Sequence, residues 1–183
     1  GRSAVAAAAY RAAEKVKETE TEQTHDYKKK SGVRESGIEV PKDAPEWSKD
    51  RAKLWNSVQE KEARKNSQFA REINIALPAE LPPETLSQLV RDFCKEEFAA
   101  RGLAADWAIH EPNKKGDERN VHAHILTTTR KLNQTGWTEK DRESNSRDWL
   151  LSIRKSWEER VNRELERAGI KERIDCRTLD AQG

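Results

Sequence analysis

The 183 residues contain no methionine, not even at position 1, where a natural reading frame starts with one. The expectation is therefore an excised segment whose first residues have been trimmed. Only two cysteines are present, Cys94 and Cys176, far apart and without other thiols nearby. That argues against a disulfide framework or a cysteine-built zinc knuckle and fits free thiols in a reducing compartment. No apolar run approaches the length of a membrane span, and the N-terminus lacks the basic, apolar and cleavage regions of an export signal. No membrane insertion is expected, and a cytoplasmic setting is the expectation. A strong charge of one sign is missing as well. Lys and Arg total 35 against 33 Asp and Glu, so at net +2 any basic face for a nucleic acid must be local. No internal repeat divides the chain, and its length makes one domain the default.

What is present is a concentration of histidine. Three of the four histidines, His110, His122 and His124, fall within fifteen consecutive positions. The run Val121 to Thr129 is β-branched and apolar, as a strand is, and side chains at i and i+2 of a strand leave the sheet on one face. His122 and His124 can then converge on one point. Leu103 to His110 has the character of the preceding strand, with Pro112, Asn113, Gly116 and Asp117 marking the connection, so a hairpin brings His110 alongside the pair. Three neutral imidazoles so grouped are ligands for a divalent metal and leave positions open for a substrate oxygen. The bland alternative is two solvated strand histidines and a coincidence.

Elsewhere the pattern alternates helices and strands. Ser3 to Val16 is alanine-rich behind a capping serine and predicts a helix, in which Tyr10 is the only aromatic residue. The polar stretch through Val33 predicts loop or hairpin, with a short strand from Gly37 to Val40 and an isolated His25. Lys49 to Phe69 predicts an amphipathic helix, and Ala70 to Pro78 an alternating strand whose polar face shows Glu72 and Asn74. Apolar residues at helical spacing follow from Pro83 to Gly102, and again from Trp149 to Gly169. Between them Arg130 to Asn145 is polar and expected to be mobile, with Trp137 a candidate for stacking on a base. Arg173 to Leu179 predicts a short strand or extended tail. Helices interleaved with hairpin-joined strands make this an α+β domain with an antiparallel sheet.

A histidine triad on a hairpin, a strand bearing an acid and an early helical tyrosine together resemble the motifs of the conjugative relaxases, the HUH endonucleases, in their MobA/MobL branch. The resemblance rests on Ser3 to Arg11 for the tyrosine motif and Ala70 to Pro78 for the acid strand. Ala108 to His110, Asp117 to Asn120 and Val121 to Arg130 carry the histidine motif. Asp26-Tyr27 with Gly32-Val33, and Arg173 to Asp175 with Arg177 to Leu179, add lesser matches, so nearly the whole chain is covered. Where relatives often carry a second acid, this chain has Asn74, and the family's first strand, ahead of the tyrosine helix, is absent.

The resemblance implies a palm-like antiparallel sheet that holds a metal on His110, His122 and His124 against the scissile phosphate of single-stranded DNA at a plasmid transfer origin. Tyr10 would be the nucleophile, giving a 5′-phosphotyrosine and a free 3′-OH. Glu72 would be the acid, either taking the tyrosyl proton or, as favoured here, accepting from the outer N–H of a histidine. An oxygen-rich substrate favours Mg²⁺ or Mn²⁺ and imidazole ligands favour Zn²⁺. A phenol titrates near pH ~10, so the nucleophile needs help from a nearby charge or base. Arg11, Lys114, Lys115, Arg119, Arg130 and Lys131 are the candidate DNA contacts, the last five expected to flank the metal. Accessory relaxosome proteins and a coupling protein are the implied partners, and relatives often continue into a helicase, primase or other C-terminal region. Two rivals stay open: a non-cutting single-strand DNA-binding module with a structural metal, and a metal-dependent phosphodiesterase that uses water.

Overall fold

The computed structural model describes residues 3–64, 66–112, 119–177 and 182. Its centre is an antiparallel four-stranded sheet built from β3 (Val33–Glu39), β4 (Ala70–Leu77), β5 (Ala105–His110) and β6 (Val121–Thr128), in the order β3-β5-β6-β4. Alternation along the strands divides it into two faces. Ile75, Leu77, Trp107, Ile109, Val121, Ala123 and Ile125 turn toward α3 (Pro83–Glu97) and α4 (Arg147–Arg167), where Phe93, Phe98, Ile153, Trp157 and Leu165 complete the larger core. The opposite face meets α1 (Ala4–Ala12) and α2 (Arg51–Lys61) through a smaller core that includes Val5, Ala8, Leu54, Trp55 and Leu126. The result is an α+β sandwich of helices, sheet and helices.

Two short hairpins complete the chain: β1 (Lys15–Lys17) with β2 (Thr24–Asp26), and β7 (Arg130–Asn133) with β8 (Gly136–Lys140). The second corrects the expectation of a mobile 130–145 segment. Gly136, at φ +107°, turns the chain, and buried Leu132 pairs with Trp137, giving a mostly polar hairpin an apolar anchor. Trp137 lies 5.8 Å from the Trp47 ring and donates to Ser57 Oγ at 2.7 Å, so it serves the fold and is not presented for a base. The helix expected over 49–69 ends at Lys61. The strand expected over 37–40 begins earlier, at Val33, because Val33 to Glu39 pair along β5 as far as His110. Gly37 faces Trp107 across that pairing, and a Cβ there would lie 2.6 Å from the indole. Residues 171–177 form an extended tail, with Ile174 tied to the Asn162 side chain of α4 by bonds of 2.9 and 3.0 Å.

Beneath the α1/α2 face lies a buried polar group. Asp106 of β5 accepts three hydrogen bonds from Arg51, at 2.9 to 3.1 Å, and one from Trp55 Nε1 at 2.8 Å. Arg51 also pairs with Glu14, just past the end of α1, so one guanidinium links α2, β5 and the tyrosine helix.

Candidate metal and nucleophile site

The register of the β5–β6 hairpin sets His110 directly opposite His122 and Ala108 opposite His124. All three rings leave the α1/α2 face, with ring centroids 4.6 to 5.4 Å apart. One nitrogen from each lies within 4.8 Å of the others. Every ring commits one of its two nitrogens to an oxygen acceptor. His110 donates from Nε2 to the Arg11 carbonyl (2.8 Å), His122 from Nδ1 to the Asn120 carbonyl (3.2 Å), and His124 from Nδ1 to Glu72 Oε1 (2.8 Å). Each ring keeps one lone pair, and its tautomer is fixed from outside, as in built metal sites. The donor set therefore fits a divalent ion. Burial pushes the His110 imidazole down to about 4; the Arg11 carbonyl opposes this, and the charges of Lys30, His124 and His122 add to it. Burial also lowers His124, against the pull of Glu72. Both shifts keep the rings neutral near pH 7, the form that ligates.

Tyr10 arrives on the last turn of α1. Ser3 caps the helix by accepting from the Ala6 N–H at 3.1 Å, and small residues Ala4, Val5, Ala8, Ala9 and Ala12 let it lie close in the core. Ala13 closes it in the left-handed region at φ 54°, so the chain leaves immediately after the tyrosine turn. Tyr10 is not a core anchor: it is 42 % exposed. Its neighbour Arg11 grips Glu72 with contacts of 2.7, 2.9 and 3.0 Å. Burial alone would raise the Glu72 carboxyl, but hydrogen bonds from Arg11 and His124, with their charges, hold it below the usual carboxylate range. Glu72 thus sits where a holder of His124 has to sit. Beside it Asn74 and Ala76, opposite His124 and His122 across the β4–β6 pairing, are exposed, which leaves an open floor next to the rings.

The chain matches the MobA/MobL family model over residues 2–183. It belongs to the MobA/MobL family. TraA, a conjugal transfer protein of Rhizobium radiobacter, is 33% identical over 214 residues, covering 100% of this chain and 19% of its own length. The mobilization protein MobL of Acidithiobacillus ferridurans is 30% identical over 213 residues, covering 100% of this chain and 56% of its own. A solved structure described as "Molecular Basis of Vancomycin Resistance Transfer in Staphylococcus aureus" superposes with a TM-score of 0.88 at 33% identity, over 98% of this chain and 93% of that one. The chain therefore spans 19% and 56% of those two curated relatives.

In this MobA/MobL chain the structure brings together Arg11, Glu72, His110, His122 and His124, and Tyr10 directly precedes Arg11 on α1. Arg119 lies at the same end of the sheet, just ahead of His122, while Lys114 and Lys115 fall outside the described residues. Arg130 and Lys131 do not flank the histidines. They follow the other end of β6, where Thr128 is already about 13 Å along the strand from His124. There Arg130 is engaged by Glu62 and the Thr138 carbonyl, both at 2.8 Å, and Lys131 pairs with Glu139 at 3.8 Å. His25 contacts Glu18 at 2.7 Å and stands apart from the metal group. Two residues that received no site role from the sequence, Tyr27 and Lys30, lie against the Tyr10 ring. Their only signal was the Asp26-Tyr27…Gly32-Val33 run. Among the described residues no helix is long and apolar enough to cross a membrane.

Proposed function

We propose that this chain nicks and rejoins one strand of DNA at a plasmid transfer origin, with Tyr10 as the nucleophile. The observation that carries this reading is the shared support of nucleophile and metal group. Tyr10 is followed by Arg11, whose carbonyl holds His110 and whose guanidinium holds Glu72 against His124. The open β4 floor beside them gives a single strand a place to lie. The relatives' descriptions, conjugal transfer and mobilization, support the same process for this chain.

The phenolic oxygen of Tyr10 forms the new bond to phosphorus as the bond from phosphorus to the 3′ oxygen breaks. The phenolic proton leaves to water at the open face, and the departing oxygen takes one up to become the 3′-OH. A divalent ion on His110, His122 and His124, either Mg²⁺ or Mn²⁺ with Zn²⁺ also suited to the ligands, would supply positive charge to the non-bridging phosphate oxygens. Imidazole ligands carry no negative charge and take none of that charge away. Glu72 is engaged on one side by Arg11 and on the other by His124, so it orients a ring and does not act as the base. The 5′-phosphotyrosine keeps the energy of the broken diester, so a 3′-OH can reseal the strand.

Lys114, Lys115 and Arg119, in the connection between the two histidine strands, are the proposed phosphate contacts, with Arg11 committed to Glu72. Accessory relaxosome proteins and a coupling protein are the partners this reading implies. Incubation of the full chain with a single-stranded origin oligonucleotide and Mn²⁺ should give a protein–DNA band that survives SDS. Tyr10→Phe should abolish it. Strand cleavage that persists without an adduct would assign the site to water-based hydrolysis, and binding without cleavage would leave only a DNA-binding module.

A further inference from the structure

Although Tyr10 is 42 % exposed, its ring meets Lys30, Tyr27 and the guanidinium of Arg11, whose Cζ lies 5.4 Å from the ring centroid. The Lys30 ammonium stands 3.8 Å from the ring centroid and donates to the carbonyl oxygen of Tyr10 itself at 3.0 Å. Tyr27 meets the ring edge-on, with centroids 5.2 Å apart and planes at 89°. Lys28 and Lys29 are exposed, but Lys30 is half-buried, and among the described residues no carboxylate pairs with it. A lysine serving only as a solvated charge has no need of such a place. The Lys30 turn is itself anchored to the histidine strand. Lys30 N–H donates to the Tyr27 carbonyl at 2.8 Å, Glu111 N–H to the Gly32 carbonyl at 2.8 Å, and Val33 pairs with His110.

We propose that Lys30 is a positioning residue for Tyr10: by bonding the helix-end carbonyl and covering the ring face with one ammonium, it holds the nucleophile at the histidine end of the sheet. Tyr27 adds an edge contact to the same ring. A cation over an aromatic face is attracted by the ring quadrupole, and the added backbone bond fixes where that cation sits. An exposed tyrosine otherwise samples several rotamers, and only one of them aligns its oxygen with a bound phosphate. The inference rests on the reading of Tyr10 as nucleophile.

The test compares wild type, Lys30→Met, Lys30→Arg and Tyr10→Phe in the full chain with the origin oligonucleotide and Mn²⁺. Single-turnover adduct formation is followed by quench and SDS gel, and oligonucleotide affinity by fluorescence anisotropy. Lys30→Met should slow adduct formation about tenfold or more with Kd within about threefold of wild type, and Lys30→Arg should recover most of the rate. A Lys30→Met rate equal to wild type overturns the inference, as does a loss explained wholly by weaker binding, which would make Lys30 a DNA contact. Absence of a Tyr10-dependent adduct in wild type instead removes the nicking reading. A second measurement needs no activity and no stable Lys30 variant. In wild-type NMR spectra the Lys30 ε-methylene protons should lie upfield of ordinary lysines under the Tyr10 ring current, and Tyr10→Leu should return them. Unshifted ε-methylene protons in wild type would refute this placement of Lys30.

Discussion

The carbonyl oxygen of Arg11 accepts a hydrogen bond from His110 Nε2 at 2.8 Å, while the side chain of the same arginine holds Glu72 at 2.7 Å. One residue therefore orients two of the three rings, the first through its backbone and the second through a carboxylate. Substituting its side chain should separate these effects. Arg11→Ala keeps the carbonyl and His110 but frees Glu72, and with it His124. The pair is partly open to water, its side chains 24% and 30% exposed, so the loss of stability should be no more than about 1 kcal/mol. Mn²⁺ or Zn²⁺ affinity should nonetheless fall about 10- to 100-fold, as it does when an outer partner of a ligating histidine is removed. Competition with a chromophoric chelator measures this. Unchanged affinity would mean that Glu72 holds His124 without help.

Metal loading should be visible as stability. An ion that binds only the folded chain stabilises it by about 2.7 kcal/mol at a hundred times its Kd, or about 5–10 °C in Tm for a domain of this size. Differential scanning fluorimetry with Mn²⁺ or Zn²⁺ against EDTA should show that rise. His122→Ala and His124→Ala should each remove most of it while leaving the melting of the EDTA-treated protein little changed, because both rings are partly exposed. A rise that survives in both variants would place the ion elsewhere.

The histidine hairpin was legible in the sequence because its signal is local: alternation puts His122 and His124 on one face, and a short connection returns the chain beside His110. The α3 and α4 helices were legible for the same reason, their Phe, Leu and Trp residues recurring at helical spacing. What escaped depends on distant partners. Lys30 reaches Tyr10 because Val33 pairs with His110, 77 positions later, a register that no local pattern encodes. The β7–β8 hairpin is polar along most of its length and depends on Leu132 and on Trp137 packing against Trp47. Arg130 looked close to the metal because it is near His124 in sequence, but β6 has already carried the chain about 13 Å from His124 by Thr128.

Asp106 should be among the least replaceable residues outside the site. It is buried and ties Arg51 and Trp55 to β5, so Asp106→Ala leaves the Trp55 indole N–H without its acceptor and the buried Arg51 with only its Glu14 carboxylate. Removing one partner of a buried ion pair costs about 3–5 kcal/mol. Urea denaturation of Asp106→Ala at pH 7 should show a loss of that size. The double variant Asp106→Leu with Arg51→Met, which removes both charges, should recover part of it. Because Arg51 also pairs with Glu14 beyond the tyrosine helix, Asp106→Ala should loosen α1 and slow adduct formation even where the protein remains folded.

Glu62 should contribute a defined part of the acid sensitivity. Burial alone would raise its carboxyl, but hydrogen bonds from Arg130 and Lys140, both at 2.8 Å, and their charges outweigh that and hold it below the usual glutamate range. A carboxyl that is lower in the folded than in the unfolded chain binds fewer protons when folded. Its stabilisation is complete above the unfolded pKa and disappears as pH falls through the folded one. The stability difference between wild type and Glu62→Gln should therefore be level from neutral pH to about 5, then shrink steadily as pH falls further. Urea midpoints for the two proteins across that range measure it, and the subtraction cancels the other carboxylates. A difference that grows on acidification would mean that Glu62 is protonated in the folded chain and that Arg130 and Lys140 are not its partners in solution.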